Sequence, residues 1–364
     1  MKILIPVLGF GKQGGYRVLS NLANTWIELG HQVTFLSISD TDLPHYPTNA
    51  KIIWVDKKGI CLTNLKNENK HKLKFFIDLF SLYKGLNSFN KYEFDVVLAN
   101  QSHTTYPVYF CKLKSLKTYY IQLDEVESQL VLGGFKNYIL SFLSFLSYFF
   151  DLFRIVNAPF YLNYKYIKSK DYVLPAMDFN IFFPNKVGKV SLKDKKVTIG
   201  CIGRRAAWKG TNDVLDAFEL LKKENLNIEL KVAFGEEDLK TIPGVSTTYP
   251  KNDIELASFY KSLDILIAPA TIQIGAVHYP VIEAMACGIP VITTGYYPAN
   301  DQNAWIVKIN DPSDIAMKIK MVICDDFYYE KIKNALHDTK ELSWYNSSLK
   351  MIKCFQQKIN SKGK

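Results

Sequence analysis

Apolar positions along the chain alternate between two rhythms. Continuous short runs, "KILIPVL" (2–8), "HQVTFLSI" (31–38), "FDVVLAN" (94–100), "KTYYIQL" (117–123) and "DYVLPA" (171–176), read as buried strands. Between the first two, Val18, Leu19, Leu22, Trp26 and Leu29 fall at helical spacing and stop at Gly30, which makes a βαβ opening. After residue 196 a second series begins. "KVTIGCIG", "IELKVAFG", "DILIAPA" and "PVITTG" read as strands. Helices are expected over "TNDVLDAFELLKK", with Thr211 as N-cap and Asp213 in the first turn, and over "DIELASFYKSL" and "PVIEAMACG". Further helices are expected from the cap Asp311-Pro312 onward and over a terminal amphipathic stretch at 343–359.

Strands alternating with helices predict α/β architecture with parallel sheets covered on both faces. The polar, basic and aperiodic stretch 184–196 separates the two series. The expected organisation is therefore two Rossmann-like domains, 1–183 and 184–342, with their parallel sheets facing a central cleft. Residues 343–364 are expected to form a helix packing back on the first domain. Ligands should sit at the carboxyl ends of the strands.

Composition narrows this picture. A chain of 364 residues is too long for one ordinary core and suits two. The six cysteines are scattered without a CxxC pair, which reads as free thiols in a reducing compartment. The apolar part of "MKILIPVLGF" is too short for a signal peptide, so a cytoplasmic protein is expected. The net charge of +10 comes almost entirely from lysine. It suits either an anionic partner or plain solubility. Only four arginines occur, Arg17, Arg154, Arg204 and Arg205. Sparing use of arginine suggests that it is kept where a planar fork is needed, as at phosphate.

Three stretches carry candidate chemistry. "LGFGKQGGYRVL" contains Gly9-x-Gly11-x-x-Gly14, the spacing of a dinucleotide fingerprint, followed by Gly15. An NAD site would want an acidic residue at the end of the second strand, but that strand ends "FLSIS", with Asp40 beyond it. "GRRAAWKG" (203–210) follows a strand and precedes a helix. Arg204 and Lys209, with the helix N-terminal N–H groups, can converge there on one anion. In "GAVHYPVIEAMACGIPVITTG" (275–295), Glu283 lies on a helix of small apolar residues. It reads either as a favourable charge near a helix start or as an acceptor for vicinal sugar hydroxyls. In "ANQSHTTYP", His103 lies just past a strand end, either in the cleft or as a hydrogen-bonded loop histidine.

"GRRAAWKG", "PVIEAMACGIPVITT" and the opening "GGYRVLSNLANTWIELGHQV" together resemble the family 4 (group 1) glycosyltransferases of GT-B fold. The resemblance implies an acceptor-side first domain and a second domain that binds a nucleotide sugar. By it, Gly14 and Gly15 reach the donor phosphates, Arg204 and Lys209 grip the diphosphate, and Glu283 binds the ribose. The GxGxxG spacing is then coincidental. The family's usual first glutamate falls on Gly275, and its Gly-Phe-Gly becomes Ala276-Val277-His278. His278, Tyr279 and nearby backbone are the expected substitutes for donor binding. In the crossover segment "VLPAMDFNIFFP", Asp178 keeps its place but the usual Asn-Gly is Ala176-Met177. His103, Arg204 and Lys209 are the expected catalytic residues, since relatives carry a histidine near the transferred sugar.

No His/Cys cluster shows metal-ligand spacing, so no metal and no cofactor beyond the donor is expected. The expected reaction is hexosyl transfer, with retention, to a lipid-linked oligosaccharide or growing glycan of a bacterial surface polysaccharide, either lipopolysaccharide O-antigen or capsule. An NAD-dependent oxidoreductase and a catalytically degenerate sugar-nucleotide-binding protein are the alternatives. Nucleic acid is not expected as a partner, because the basic residues form no RNA-binding motif. On the acceptor side, "KNENKHKLKFFIDLFSLYKGL" (66–86) interleaves lysines with aromatics, and "NYILSFLSFLSYFFDLF" (137–153) is richer still in aromatics. The second is too short to span a membrane. It reads either as a core helix or as an interfacial segment docking an anionic membrane surface, which would make the protein peripheral on the inner face.

Overall fold

The computed structural model describes residues 1–11, 13–65, 74–185, 191–193, 195–203, 207–325 and 328–362. The chain divides into two units, Met1–Ala176 with Trp344–Lys364, and Met177–Ser343. The division falls ahead of the 184–196 stretch, so 177–183 joins the second unit. There Met177 N donates to Leu342 O at 3.0 Å, and Phe182 is buried beside Tyr260.

The first unit runs β1 (Lys2–Val7), α1 (Gly14–Glu28), β2 (Gln32–Ile38), β3 (Lys51–Val55), β4 (Cys61–Leu62), α2 (Lys74–Asn87), β5 (Val96–Ala99), α3 (Thr105–Phe110), β6 (Leu116–Ile121), α4 (Glu125–Leu132), α5 (Phe135–Ser147), β7 (Phe153–Val156) and β8 (Asp171–Tyr172). Its sheet has the order β4-β3-β2-β1-β5-β6-β7-β8, and only the β3–β4 pair is antiparallel. The inner strands β1 and β5 are buried almost throughout, as a parallel sheet covered on both faces requires.

The second unit runs β9 (Val197–Ile202), α6 (Thr211–Lys223), β10 (Ile228–Ala233), β11 (Val245–Thr248), α7 (Asp253–Lys261), β12 (Ile265–Ala268), α8 (Tyr279–Ala286), β13 (Val291–Thr293), β14 (Trp305–Ile306), α9 (Pro312–Cys324) and α10 (Tyr328–Thr339). Its sheet is fully parallel, in the order β11-β10-β9-β12-β13-β14. Its core joins Val214, Phe218 and Leu221 of α6 to Ile315 and Ile319 of α9 over β9 and β12. Asp311 caps α9 as expected, accepting from Asp314 N at 2.9 Å.

The terminal helix α11 (Trp344–Lys362) belongs to the first unit and packs on α1. Trp26 of α1 packs at a tilt against Phe355, and its indole N–H donates to Ser348 O at 3.4 Å. Among the described residues no helix is long and apolar enough to cross a membrane.

Phe355 is fully buried against α1. Phe355→Ala should therefore destabilise the first unit by about 3–5 kcal/mol, read as a lower urea midpoint.

Candidate active site

Strand order reverses between β1 and β5 in one sheet and between β9 and β12 in the other. Chains leaving two such strands diverge to opposite faces, and the crevice between them is where α/β sheets bind ligands.

In the second unit the loop after β9 passes Gly203 and resumes as the turn Ala207–Lys209. Arg204 lies outside the described residues, as does Arg205. Gly210 follows with φ +68°, and a Cβ there would lie 2.4 Å from Pro269 O. Only glycine lets the loop after β9 lie this close to the loop after β12. Thr271 N donates to Trp208 O at 2.9 Å and ties the two together. Because the left-handed backbone is needed at the cap position, Gly210 is the N-cap of α6. Thr211 is its first residue and not the cap the sequence suggested.

The loop after β12 turns through Gln273 and Gly275, both at positive φ. Position 275 has φ +98°, so a side chain there is strained. The loop conformation thus accounts for glycine where the resembling family has glutamate.

The loop delivers His278 to the start of α8, followed by Tyr279 as the first helical residue. His278 Nε2 lies 3.4 Å from Lys209 Nζ, and its ring packs on Tyr296. The ammonium donates, so Nε2 accepts and the ring proton sits on Nδ1. Among the described residues Nδ1 is buried without a hydrogen-bond partner. Burial, then the Lys209 charge, holds the His278 pKa well below the usual histidine range. Lys209, Thr211 and His278 border a void of about 20 Å³ between the two loops.

Glu283 lies one turn further along α8 and is only 1% exposed. Its Oε2 accepts from the buried Tyr260 hydroxyl at 2.9 Å. The small residues Ala284 and Ala286 let α8 pack this tightly.

In the first unit Gly14 and Gly15 are the first two residues of α1. That helix has no side-chain cap and no acid in its first turn, the arrangement that suits an anion at a helix start. Gly9 has a structural role, since a Cβ there would meet Thr41 Oγ1 at 2.3 Å. Asp40, the nearest acid to the end of β2, is paired with Lys74 at 3.2 Å. His103 lies in a 3-10 turn (Ser102–Thr104) after β5. Its ring stands edge-on to Phe75, and Nε2 lies 3.3 Å from Leu140 O. Burial lowers its pKa.

Two residues here escaped the sequence reading. Gln122, just past β6, donates from Nε2 to Gly15 O at 3.3 Å and so lies against the glycine pair. Glu125 opens α4 and accepts from Ser102 N at 2.9 Å and Ser102 Oγ at 2.5 Å. Burial pushes its carboxyl up to about 7. The available signal was an acid pair, Asp124-Glu125, directly after a strand.

A cavity of about 880 Å³ is lined by Asp151, Arg154, Lys358 and neighbours. It opens at the amino end of β7, the wrong end of a parallel sheet for the site.

Residues 196–325 match the family described as glycosyl transferases group 1. The second unit carries a group 1 glycosyl transferase domain. An uncharacterized glycosyltransferase of Methanocaldococcus jannaschii is 23% identical over 340 residues, 82% of each chain. A capsular polysaccharide biosynthesis glycosyltransferase of Staphylococcus aureus is 27% identical over 156 residues, 39% of this chain and 40% of its own. Sucrose-phosphate synthase of Thermosynechococcus elongatus superposes with a TM-score of 0.75 at 14% identity, covering 99% of this chain and 100% of that one. The group 1 resemblance read from the sequence holds, and the fold of this glycosyltransferase is GT-B.

Two outcomes follow from the second unit. An unfolded chain binds a proton at His278 near the ordinary pKa of 6.5, whereas the folded one does so only well below it. Stability is then full above pH 6.5 and falls as pH drops beneath it, by up to about 1.4 kcal/mol per pH unit. His278→Gln should flatten that slope in urea titrations at a series of pH values. Separately, Glu283→Ala removes the acceptor of a buried hydroxyl. It should cost about 1–3 kcal/mol, with much of the loss recovered when Tyr260→Phe is added.

Proposed function

We propose that this glycosyltransferase moves a hexosyl group from a nucleoside diphosphate sugar to a lipid-linked or growing glycan. Transfer proceeds with retention and without a metal ion, on the cytoplasmic side, by a protein peripheral to the membrane. The product belongs to a bacterial surface polysaccharide, lipopolysaccharide O-antigen or capsule. The observation that carries the reading is the meeting of Lys209 and His278 at the point where strand order reverses in the group 1 domain. Similarity to a capsular polysaccharide enzyme supports the pathway.

In this reading Arg204 and Lys209 bind the diphosphate and stabilise it as it departs. The N–H groups of Gly14 and Gly15 approach the donor phosphates, and Glu283 takes the ribose. His278 and Tyr279 lie toward the sugar, in place of the family's usual glutamate. His103 acts near the transferred group. The departing phosphate takes the proton of the acceptor hydroxyl, so that no other cofactor takes part.

Calorimetry with nucleoside diphosphates tests the core of this. Arg204→Ala and Lys209→Ala should each weaken binding by about 2 kcal/mol, and Glu283→Ala should lose most of the affinity. His278→Ala should lower turnover more than it lowers binding of the bare nucleotide. Unchanged affinity in both cation variants overturns the assignment.

The glycine loop supplies a second check. A Cβ at Gly15 would meet only the flexible Gln122 side chain, at 3.4 Å. Gly15→Val should therefore fold yet lose transfer, because its side chain blocks the approach to phosphate. NAD should not raise the melting temperature. A clear rise would favour an oxidoreductase, and nucleotide binding without turnover of any donor would favour a binding module.

A further inference from the structure

Helix α5 is built inside out. Its buried residues are Ser141, Ser144 and Ser147, and none of its large side chains is among them. Two of the serines fasten it to the body of the unit: Ser141 Oγ donates to Val126 O at 3.2 Å, and Ser144 Oγ lies 2.8 Å from Ser102 Oγ, while Ser147 Oγ donates back to Ser144 O within the helix. The outer stripe is apolar, with Phe135 82%, Tyr138 56% and Phe142 60% exposed. An aqueous surface selects the opposite arrangement. The core-helix alternative for 137–153 is thereby corrected over α5, where Tyr138 and Phe142 face outward while serines take the inner contacts, although Tyr148 and Leu152 beyond the helix are buried. Residues 66–73 of the other aromatic stretch lie outside the described residues, and the remainder forms α2.

The exposed apolar face extends beyond α5. Phe80 of α2 and Phe110 of α3 are also more than half exposed. Phe150 stacks on Tyr109 and packs against Phe110, joining the chain after α5 to α3. Between α2, α3 and α5 lies a cavity of about 280 Å³ walled by Phe76, Leu79, Phe80, Phe110 and Leu143, among others. His103 and Tyr106 also line it, but His103 Nε2 is directed at Leu140 O and Tyr106 OH donates to Leu143 O. The cavity thus presents chiefly hydrocarbon to an occupant.

Lysines rim this face where α2 and α3 end. Lys84 lies over the Phe80 ring, and Lys112 follows α3 with its N–H bonded to Asn87 at the end of α2. Lys114 is joined to Lys91 through the backbone. All four lysines are exposed. The acids of the same stretch are engaged by backbone N–H groups, Glu93 by Asn90 and Asp95 by Lys2. A second copy of this chain would bring two basic rims together, whereas an anionic bilayer complements them.

We propose that the aromatic face of α2, α3 and α5 docks on an anionic lipid surface and that the cavity behind it receives the hydrocarbon chain of a lipid-linked acceptor. The proposal rests on the sugar-transfer reading above and names the acceptor class. Docking uses aromatic insertion and lysine attraction together, as interfacial proteins do.

Flotation of the full chain with phosphatidylcholine vesicles, with and without phosphatidylglycerol, tests the surface. Binding should require phosphatidylglycerol and fall at least about tenfold in Phe110→Asp/Phe142→Asp. Both positions are exposed, so the variant keeps its fold. Calorimetry with dodecyl phosphate, and with butyl phosphate as a headgroup control, tests the cavity. Dodecyl phosphate should bind and butyl phosphate should not, and Leu143→Trp, which fills the space, should weaken the former about tenfold at an unchanged melting temperature. Leu79→Trp fills the same space from α2 and serves if Leu143→Trp loses its fold. Equal binding of the two phosphates, failure of both filling variants to weaken dodecyl phosphate, or a dimer abolished by Phe142→Asp in place of flotation overturns the proposal. Nucleoside diphosphate affinity is measured on the same variants and should not change. A failure here is thus distinct from a failure of the donor reading.

Discussion

The group 1 domain depends on one close approach, that of Gly210 to Pro269 O. Two loops leave β9 and β12 at their carboxyl ends, and they can lie side by side only because position 210 carries no Cβ. The Thr271–Trp208 backbone bond then fixes their separation. Lys209 precedes the glycine, and its ammonium consequently meets His278 across the gap. The cost of that meeting is borne by the histidine, which stays neutral and leaves Nδ1 buried without a partner.

The first unit organises its site differently. There, among the described residues, a buried hydrogen-bond network does the positioning. Glu125 holds the Ser102 backbone and hydroxyl, Ser102 contacts Ser144 of α5, and Gln122 lies against Gly15. Asp124, wholly buried, caps α4 and accepts from the Tyr166 hydroxyl. A buried polar network of this kind rigidifies the loops it joins. It also explains α5. With Ser144 committed to the network and Ser141 to α4, the helix presents its aromatic side outward.

The sequence by itself determined the alternation of strands and helices, the restart after residue 196 and the loops that carry the chemistry. These are legible because continuous apolar runs, helical spacing and glycine-bounded strand ends are local signals. The cap at Asp311 and the terminal helix were legible for the same reason. Tertiary structure alone decided the rest. Strands β7 and β14 are short, and their neighbours in the sheet select them more than their own composition does. Gly275 read as the loss of a glutamate, yet a backbone φ of +98° shows what the loop requires there. No periodicity could reveal that His103 faces an aromatic cavity, that Tyr260 closes over Glu283, or that α5 turns its serines inward. Each of these depends on which distant element packs against the residue. Sequence patterns record the spacing of side chains along an element, whereas the direction in which its faces look is fixed only when the partners arrive.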